Sequence, residues 1–155
     1  MEILFRNHYA RLVGSLTLVA SDHQSAEDAV QEAFAQAHIH WKRISRYDDP
    51  AAWVRRVALN RLLNVRRRLV RKRRVLQKLG AGEPVPDEIN KVADHEALDD
   101  ALSGLSPRQR AVLVLHYVED LAVRDIASAL GIAEGTVKTH LHRARQAMRK
   151  LIEVQ

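Results

Sequence analysis

Lys138, Thr139, His142 and Arg143 fall at i, i+1, i+4 and i+5, so a helix through them presents an ammonium, a hydroxyl, an imidazole and a guanidinium on one side. Such a set suits the base edges of a DNA major groove, and Arg145 and Arg149, further along, suit phosphates. Upstream, Asp28, Gln31 and Glu32 stand at i, i+3 and i+4, a compact acceptor-rich patch able to engage arginine on a partner helix through charge-assisted bonds. A third set, Arg56, Asn60, Asn64 and Arg67, shares one helical stripe; asparagine can hydrogen-bond base edges and arginine can hold phosphates.

The elements that must position these groups are helical throughout. Leu121 to Leu141 has the spacing of a helix-turn-helix. Ile126, Ala127 and Leu130 share a face of its first helix, small Ala127 allows close approach, Gly131 supplies a left-handed turn, and Val137 and Leu141 close the core. Glu134-Gly-Thr starts the second helix, whose N-terminal part meets base edges. Ser106-Pro107 predicts a cap and first turn for a preceding helix that runs to about Val118.

In the first half, Leu4/Phe5, Tyr9, Leu12/Val13 and Leu16 keep helical spacing within 2–19, and Asp22 or Ser25 could cap a second helix running to about His40. Its stripe Ala26, Val30, Ala33, Phe34 and Ala37 packs, leaving Asp28, Gln31 and Glu32 on another face. Pro50 begins a third, long helix that no Gly or Pro interrupts before Gly80. Trp41 and Trp53 are candidates for base stacking, with core packing the better reading of Trp53.

Charge follows the same division. The net charge is +6, which favours a polyanionic partner. Residues 1–79 and 107–155 are basic, whereas 80–106 hold a single basic residue, Lys91, among many Asp and Glu. That acidic stretch opens with Gly80-Ala-Gly-Glu-Pro-Val-Pro-Asp, the densest Gly/Pro cluster of the chain, and 92–102 predicts a short acidic helix. The expected fold class is all-α: two small helical domains, 1–79 and 101–155, joined by an acidic flexible linker over 80–100, the C-terminal one a helix-turn-helix.

Several functions are excluded or disfavoured. The absence of cysteine rules out disulfides, thiolate metal sites and cysteine nucleophiles, and the cytoplasm is the default compartment. No apolar run approaches the roughly 20 residues a membrane span needs, so no membrane insertion is expected. His38-x-His40 and His140-x-His142 have a spacing found in metal sites, but no carboxylate or thiolate cluster completes either, so neither catalytic residues, a metal nor a cofactor is expected.

Beyond these readings, Leu105-Ser-Pro-Arg-Gln-Arg-Ala-Val-Leu-Val-Leu, Asp125-Ile-Ala and Gly135-Thr-Val-Lys-Thr-His-Leu-His-Arg-Ala-Arg resemble region 4 of the extracytoplasmic-function (ECF, group IV) sigma factors. Ala26-Glu-Asp-Ala-Val-Gln-Glu-Ala-Phe is similar to their region 2.2, and Ala52-Trp-Val-Arg-Arg-Val-Ala-Leu-Asn-Arg-Leu-Leu-Asn to regions 2.3 and 2.4. The resemblance implies a bacterial, cytoplasmic, non-enzymatic promoter-recognition subunit of RNA polymerase, acting at stress-response genes under an anti-sigma factor. It implies docking on core RNA polymerase through Asp28, Gln31 and Glu32, -10 contacts by Arg56, Asn60, Asn64 and Arg67, and -35 contacts by Thr136, Lys138, Thr139, His142, Arg143 and Arg145. Asp125 stands where the family usually has Glu, Asn64 where it often has Asp, and Thr139-His140 where Ser-Arg is common; the last departure leaves the preferred -35 sequence open.

Two other readings compete. An ordinary helix-turn-helix regulator would leave the Asp28, Gln31, Glu32 patch silent, and a sigma mimic that titrates an anti-sigma factor would lack promoter binding.

Overall fold

A computed structural model describes residues 1–80, 100 and 102–153. Among these, every regular element is a helix: α1 (Glu2–Ala20), α2 (His23–Ile39), α3 (Trp41–Ile44), α4 (Pro50–Lys78), α5 (Pro107–Tyr117), α6 (Val123–Leu130) and α7 (Glu134–Glu153). The predicted linker and most of the predicted helix over 92–102 lie outside the described residues.

Local chemistry sets the boundaries. Ser21 takes the left-handed conformation (φ 54°) that closes α1, and Asp22 then caps α2, accepting from the Gln24 amide at 3.1 Å and from the Ser25 hydroxyl at 2.5 Å. The α1–α2 corner is therefore two residues long. Asp49 caps α4 by accepting from the Ala52 amide at 3.2 Å, one residue before Pro50. Ser106 and Gln109 form a reciprocal capping box at the start of α5, and Gly131 (φ 66°) ends α6. The short α3 was not expected: four residues are too few to show a period.

Alanines at 26, 29, 33 and 37 form most of the buried stripe of α2, so α1 lies close against it with Leu12, Leu16 and Val19 filling the gap. Val54, Ala58, Leu59, Leu62 and Leu63 of α4 complete this half. No side chain described beyond Leu63 in α4 is buried, and Leu69 and Val75 are exposed, so the second half of that helix projects as a basic rod.

The two halves expected from the sequence do not stand apart. One continuous cluster of buried side chains runs from Leu12 and Leu16 through Leu59 and Leu62 to Val112, Leu115, Ile126 and Val137. Helix α5 packs on α1, and α6 packs on α4. Polar groups close the seam. Arg110, 6% exposed, donates from Nε (3.1 Å) and Nη2 (2.8 Å) to the Leu18 carbonyl in the last turn of α1. That carbonyl belongs to the set a helix end leaves unpaired, so the C-terminal half caps a helix of the N-terminal half. Beside it, the buried carboxylate of Glu119 accepts a short hydrogen bond from the Ser15 hydroxyl and pairs with Arg11 at 3.5 Å. Periodicity identifies which residues are buried, but not which element buries them.

Candidate nucleic-acid interface

Helices α6 and α7 form the helix-turn-helix. Ile126, Ala127, Leu130, Val137 and Leu141 are all buried, as the spacing requires. The turn is tied by the Ile132 amide donating to the Ala127 carbonyl at 3.1 Å, with Gly131 in the left-handed region between them. This anchors the start of α7 and leaves Thr136, Lys138, Thr139, His142 and Arg143 exposed. Thr139 Oγ1 donates to the Gly135 carbonyl at 3.0 Å, which leaves its lone pairs free to accept from a base amino group.

Arg145 is placed differently. Its Nε donates to Tyr117 Oη at 2.6 Å and its guanidinium sits 5.6 Å from the centre of the Tyr117 ring, so it is oriented by α5. The sequence carries no signal for this pairing, 28 residues apart.

His140 is half-buried on the inner side of α7, and no hydrogen-bond partner of its Nδ1 is described. Burial, reinforced by the nearby charges of Arg108 and Arg143, pushes its imidazole below the usual 6.5. The unfolded chain thus takes up a proton at this position more readily than the folded one. The contribution of His140 to stability is present above pH 6.5 and is lost as pH falls toward the depressed folded value. Urea midpoints of the native chain and of His140→Gln, compared across this range, are expected to diverge on acidification, with the variant less pH-dependent.

On α4, Arg56, Asn60, Asn64 and Arg67 are all exposed, on a face away from Val54, Ala58, Leu59 and Leu62. Trp53 and Trp41 are both half-buried and packed against the core, which supports core packing for Trp53 and extends it to Trp41. The basic stripe continues along the projecting half of α4 through the exposed Arg68, Arg71, Lys72, Arg73 and Arg74.

The α2 patch is more elaborate than the sequence suggests. Asp28 and Gln31 are exposed and Glu32 is half-buried. Gln24 Nε2 donates to Asp28 (2.9 Å) and Gln36 Nε2 to Glu32 (3.3 Å). Gln31 Nε2 donates to Tyr9 Oη (3.2 Å) and Glu27 (3.4 Å). Sequence reasoning missed Tyr9 and Glu27; the i−4 position of Glu27 relative to Gln31 was the available signal. Tyr9 is itself fixed by stacking on Phe5 at 4.5 Å, and Phe5 meets Phe34 edge-on at 5.1 Å. The three sets therefore occupy three different helices, each held from beneath by the shared core.

Residues 4–74 match the sigma-70 region 2 family and residues 95–148 match sigma-70 region 4. The chain is 37% identical to the ECF RNA polymerase sigma factor SigL of Mycobacterium tuberculosis, across 99% of this chain and 89% of that protein. It is 32% identical to the RNA polymerase sigma-E factor of Streptomyces coelicolor, across 96% and 86%. Among solved structures it is similar to the sigma factor RpoE of Bartonella quintana in complex with the anti-sigma factor NepR, with TM-score 0.71 and 26% identity over 93% of this chain and 91% of that one. CnrH, in complex with the cytosolic domain of CnrY, shares the fold at TM-score 0.68 and 20% identity over 99% and 88%.

Proposed function

Because the chain belongs to the ECF RNA polymerase sigma factors, and is thus a transcription initiation factor, we propose that its three exposed side-chain sets divide the work of promoter recognition between them. Asp28, Gln31 and Glu32, with Glu27 beside them, dock on an arginine-bearing helix of core RNA polymerase. Arg56 and Arg67 hold phosphates of the -10 region while Asn60 and Asn64 contact bases; an unstacked base costs a few kcal/mol to extract, so melting draws on polymerase contacts. Lys138, Thr139, His142 and Arg143 read the -35 duplex, with Thr136 at the start of α7 and Arg145 contributing phosphate contacts.

The proposed division of the chain is 1–79 for region 2, 80–100 for a connecting segment and 101–155 for region 4. Bond formation belongs to polymerase, so the chain itself is no enzyme and needs no cofactor. It acts in the bacterial cytoplasm, at stress-response genes, under an anti-sigma factor; the RpoE and CnrH complexes support that last point by likeness. No helix among the described residues is long and apolar enough to cross a membrane.

The observation that carries the reading is the exposure of the whole α4 and α7 sets on helices whose opposite faces are locked in the core. The test is transcription from a genomic DNA library by core RNA polymerase with and without the chain. New start sites that appear only with the chain, sharing two upstream elements, are the expected result. None, despite tight DNA binding, would replace this reading by that of an ordinary helix-turn-helix regulator.

A further inference from the structure

Tyr117, the last residue of α5, is 54% exposed, yet its ring is held from two directions. On one side the half-buried His116 ring meets it edge-on at 4.8 Å, and His116 Nδ1 lies 3.2 Å from the Leu121 carbonyl, which ties that imidazole to the turn leading into α6. On the other side stands the Arg145 guanidinium. The Val118 amide closes the last turn of α5 onto the Val114 carbonyl at 2.8 Å, and α5 packs on α7, so the phenol is a fixed point from which α7 can be braced.

On α7, Arg145 follows Lys138 and His142 at i+7 and i+3, so the three share a face, and Arg145 lies about 4.5 Å further along the axis than His142. Base edges are read from the first turns of such a helix; beyond them the duplex offers its backbone. A guanidinium can grip a phosphate side-on, through Nε and one Nη, or end-on, through both Nη. Nε of Arg145 is already committed to Tyr117 Oη at 2.6 Å, so only the end-on grip remains. Arg149, one turn on, is equally exposed, but no such hold on it is described.

We propose that Tyr117 is a positioning residue for -35 binding: from α5 it fixes Arg145 by Nε, so that both Nη groups meet one backbone phosphate of the -35 duplex end-on, with the side chain ordered on folding instead of on binding. This rests on the sigma reading above and on its phosphate contact by Arg145. Ordering one long side chain at an interface lowers affinity about 2–12-fold, and that is the size of the gain. A phosphate carries no sequence information, so the gain is the same on any duplex. Discrimination between -35 sequences stays with Lys138, Thr139, His142 and Arg143.

Tyr117→Phe keeps the ring, its contact with His116 and its face toward the guanidinium, and removes only the acceptor. Binding of the whole chain is measured over a range of salt on two labelled duplexes, one carrying the -35 element shared by the start sites of the library and one with that element scrambled. Arg145→Ala is expected to lose at least about fivefold on both and to flatten the slope of log K against log salt by about 0.9, the mark of one lost phosphate contact. Tyr117→Phe should lose about 3–10-fold on both, with Tm unchanged within about 2 °C, and should cost less than about 1.5-fold more when added to Arg145→Ala. A loss under about threefold for Tyr117→Phe overturns the proposal, as does a loss above about 1.5-fold that persists beside Arg145→Ala, because a ring that merely props α5 acts in either background. A loss confined to the unscrambled duplex also overturns it, since Arg145 would then be reading bases. A loss under about fivefold for Arg145→Ala removes Arg145 from the duplex, and the proposal with it, while leaving the sigma reading in place. That reading is measured separately, by library transcription with the native chain, and the absence of new start sites there overturns both.

Discussion

A chain carrying Asp28→Ala, Gln31→Ala and Glu32→Ala together is expected to lose at least about a hundredfold in affinity for core RNA polymerase, or about 3 kcal/mol. The argument is one of exposure and charge. Asp28 and Gln31 stand in solvent with hydrogen-bonding capacity left over after their bonds within the chain, and a partner arginine desolvated against them would be left unpaired by truncation. The folded chain should scarcely notice. The intrahelical pairs Gln24–Asp28 and Gln36–Glu32 are worth about 0.2–0.5 kcal/mol each, and alanine favours the helix. Titration of labelled core polymerase reads the effect, with binding to a -35 duplex as the internal control. A loss below about threefold would remove the patch from the docking surface.

Arg110→Ala is expected to destabilise the whole chain by about 2–4 kcal/mol, combining an unpaired buried carbonyl with the lost packing of the arginine stem. A seam residue within the first turn of α5 would then matter more than the cap preceding it, since Ser106→Ala costs about 1 kcal/mol. Against a typical total of about 5–15 kcal/mol, such a loss is large, and it should appear as a drop of about 5–15 °C in Tm. Arg110→Lys, with a single ammonium where two guanidinium nitrogens meet Leu18 O, should fall between the two. A change smaller than about 0.5 kcal/mol for Arg110→Ala would mean that the seam is open in solution.

The legible and illegible parts of the fold separate by range. Pro50, Ser106-Pro107 and Gly131 mark helix ends through the backbone chemistry of one or two residues, and those boundaries are where the sequence reading placed them. Ile126, Ala127, Leu130, Val137 and Leu141 lie close enough in the chain for one motif to contain their packing. Ser15 and Glu119 are 104 residues apart, and Arg110 and Leu18 are 92 apart; nothing local announces either pair. A weak signal did exist. Ser15 interrupts the apolar run Leu12, Val13, Leu16, and Arg110 abuts Ala111 and Val112, each a polar group where an apolar stripe should continue. The exposed sets were legible because helical spacing alone decides which residues share a face, whereas the commitment of Arg145 to Tyr117 depends on a neighbouring helix.

The continuous core also has a consequence in time. Ribosomes build from the N-terminus, and α5 and α6, which pack on α1 and α4, are encoded after both. About 50 residues separate Leu79 from Leu130, and synthesis at roughly 5–20 residues per second takes about 3–10 s to cross that interval. Throughout it, the nascent N-terminal half lacks only the part of its cover that α5 and α6 give to α1 and α4, and the Leu18 carbonyl lacks its arginine. A newborn chain of this kind is sticky for seconds before it is finished, which makes it a natural client for chaperones at the tunnel exit and ties its yield to the speed of translation.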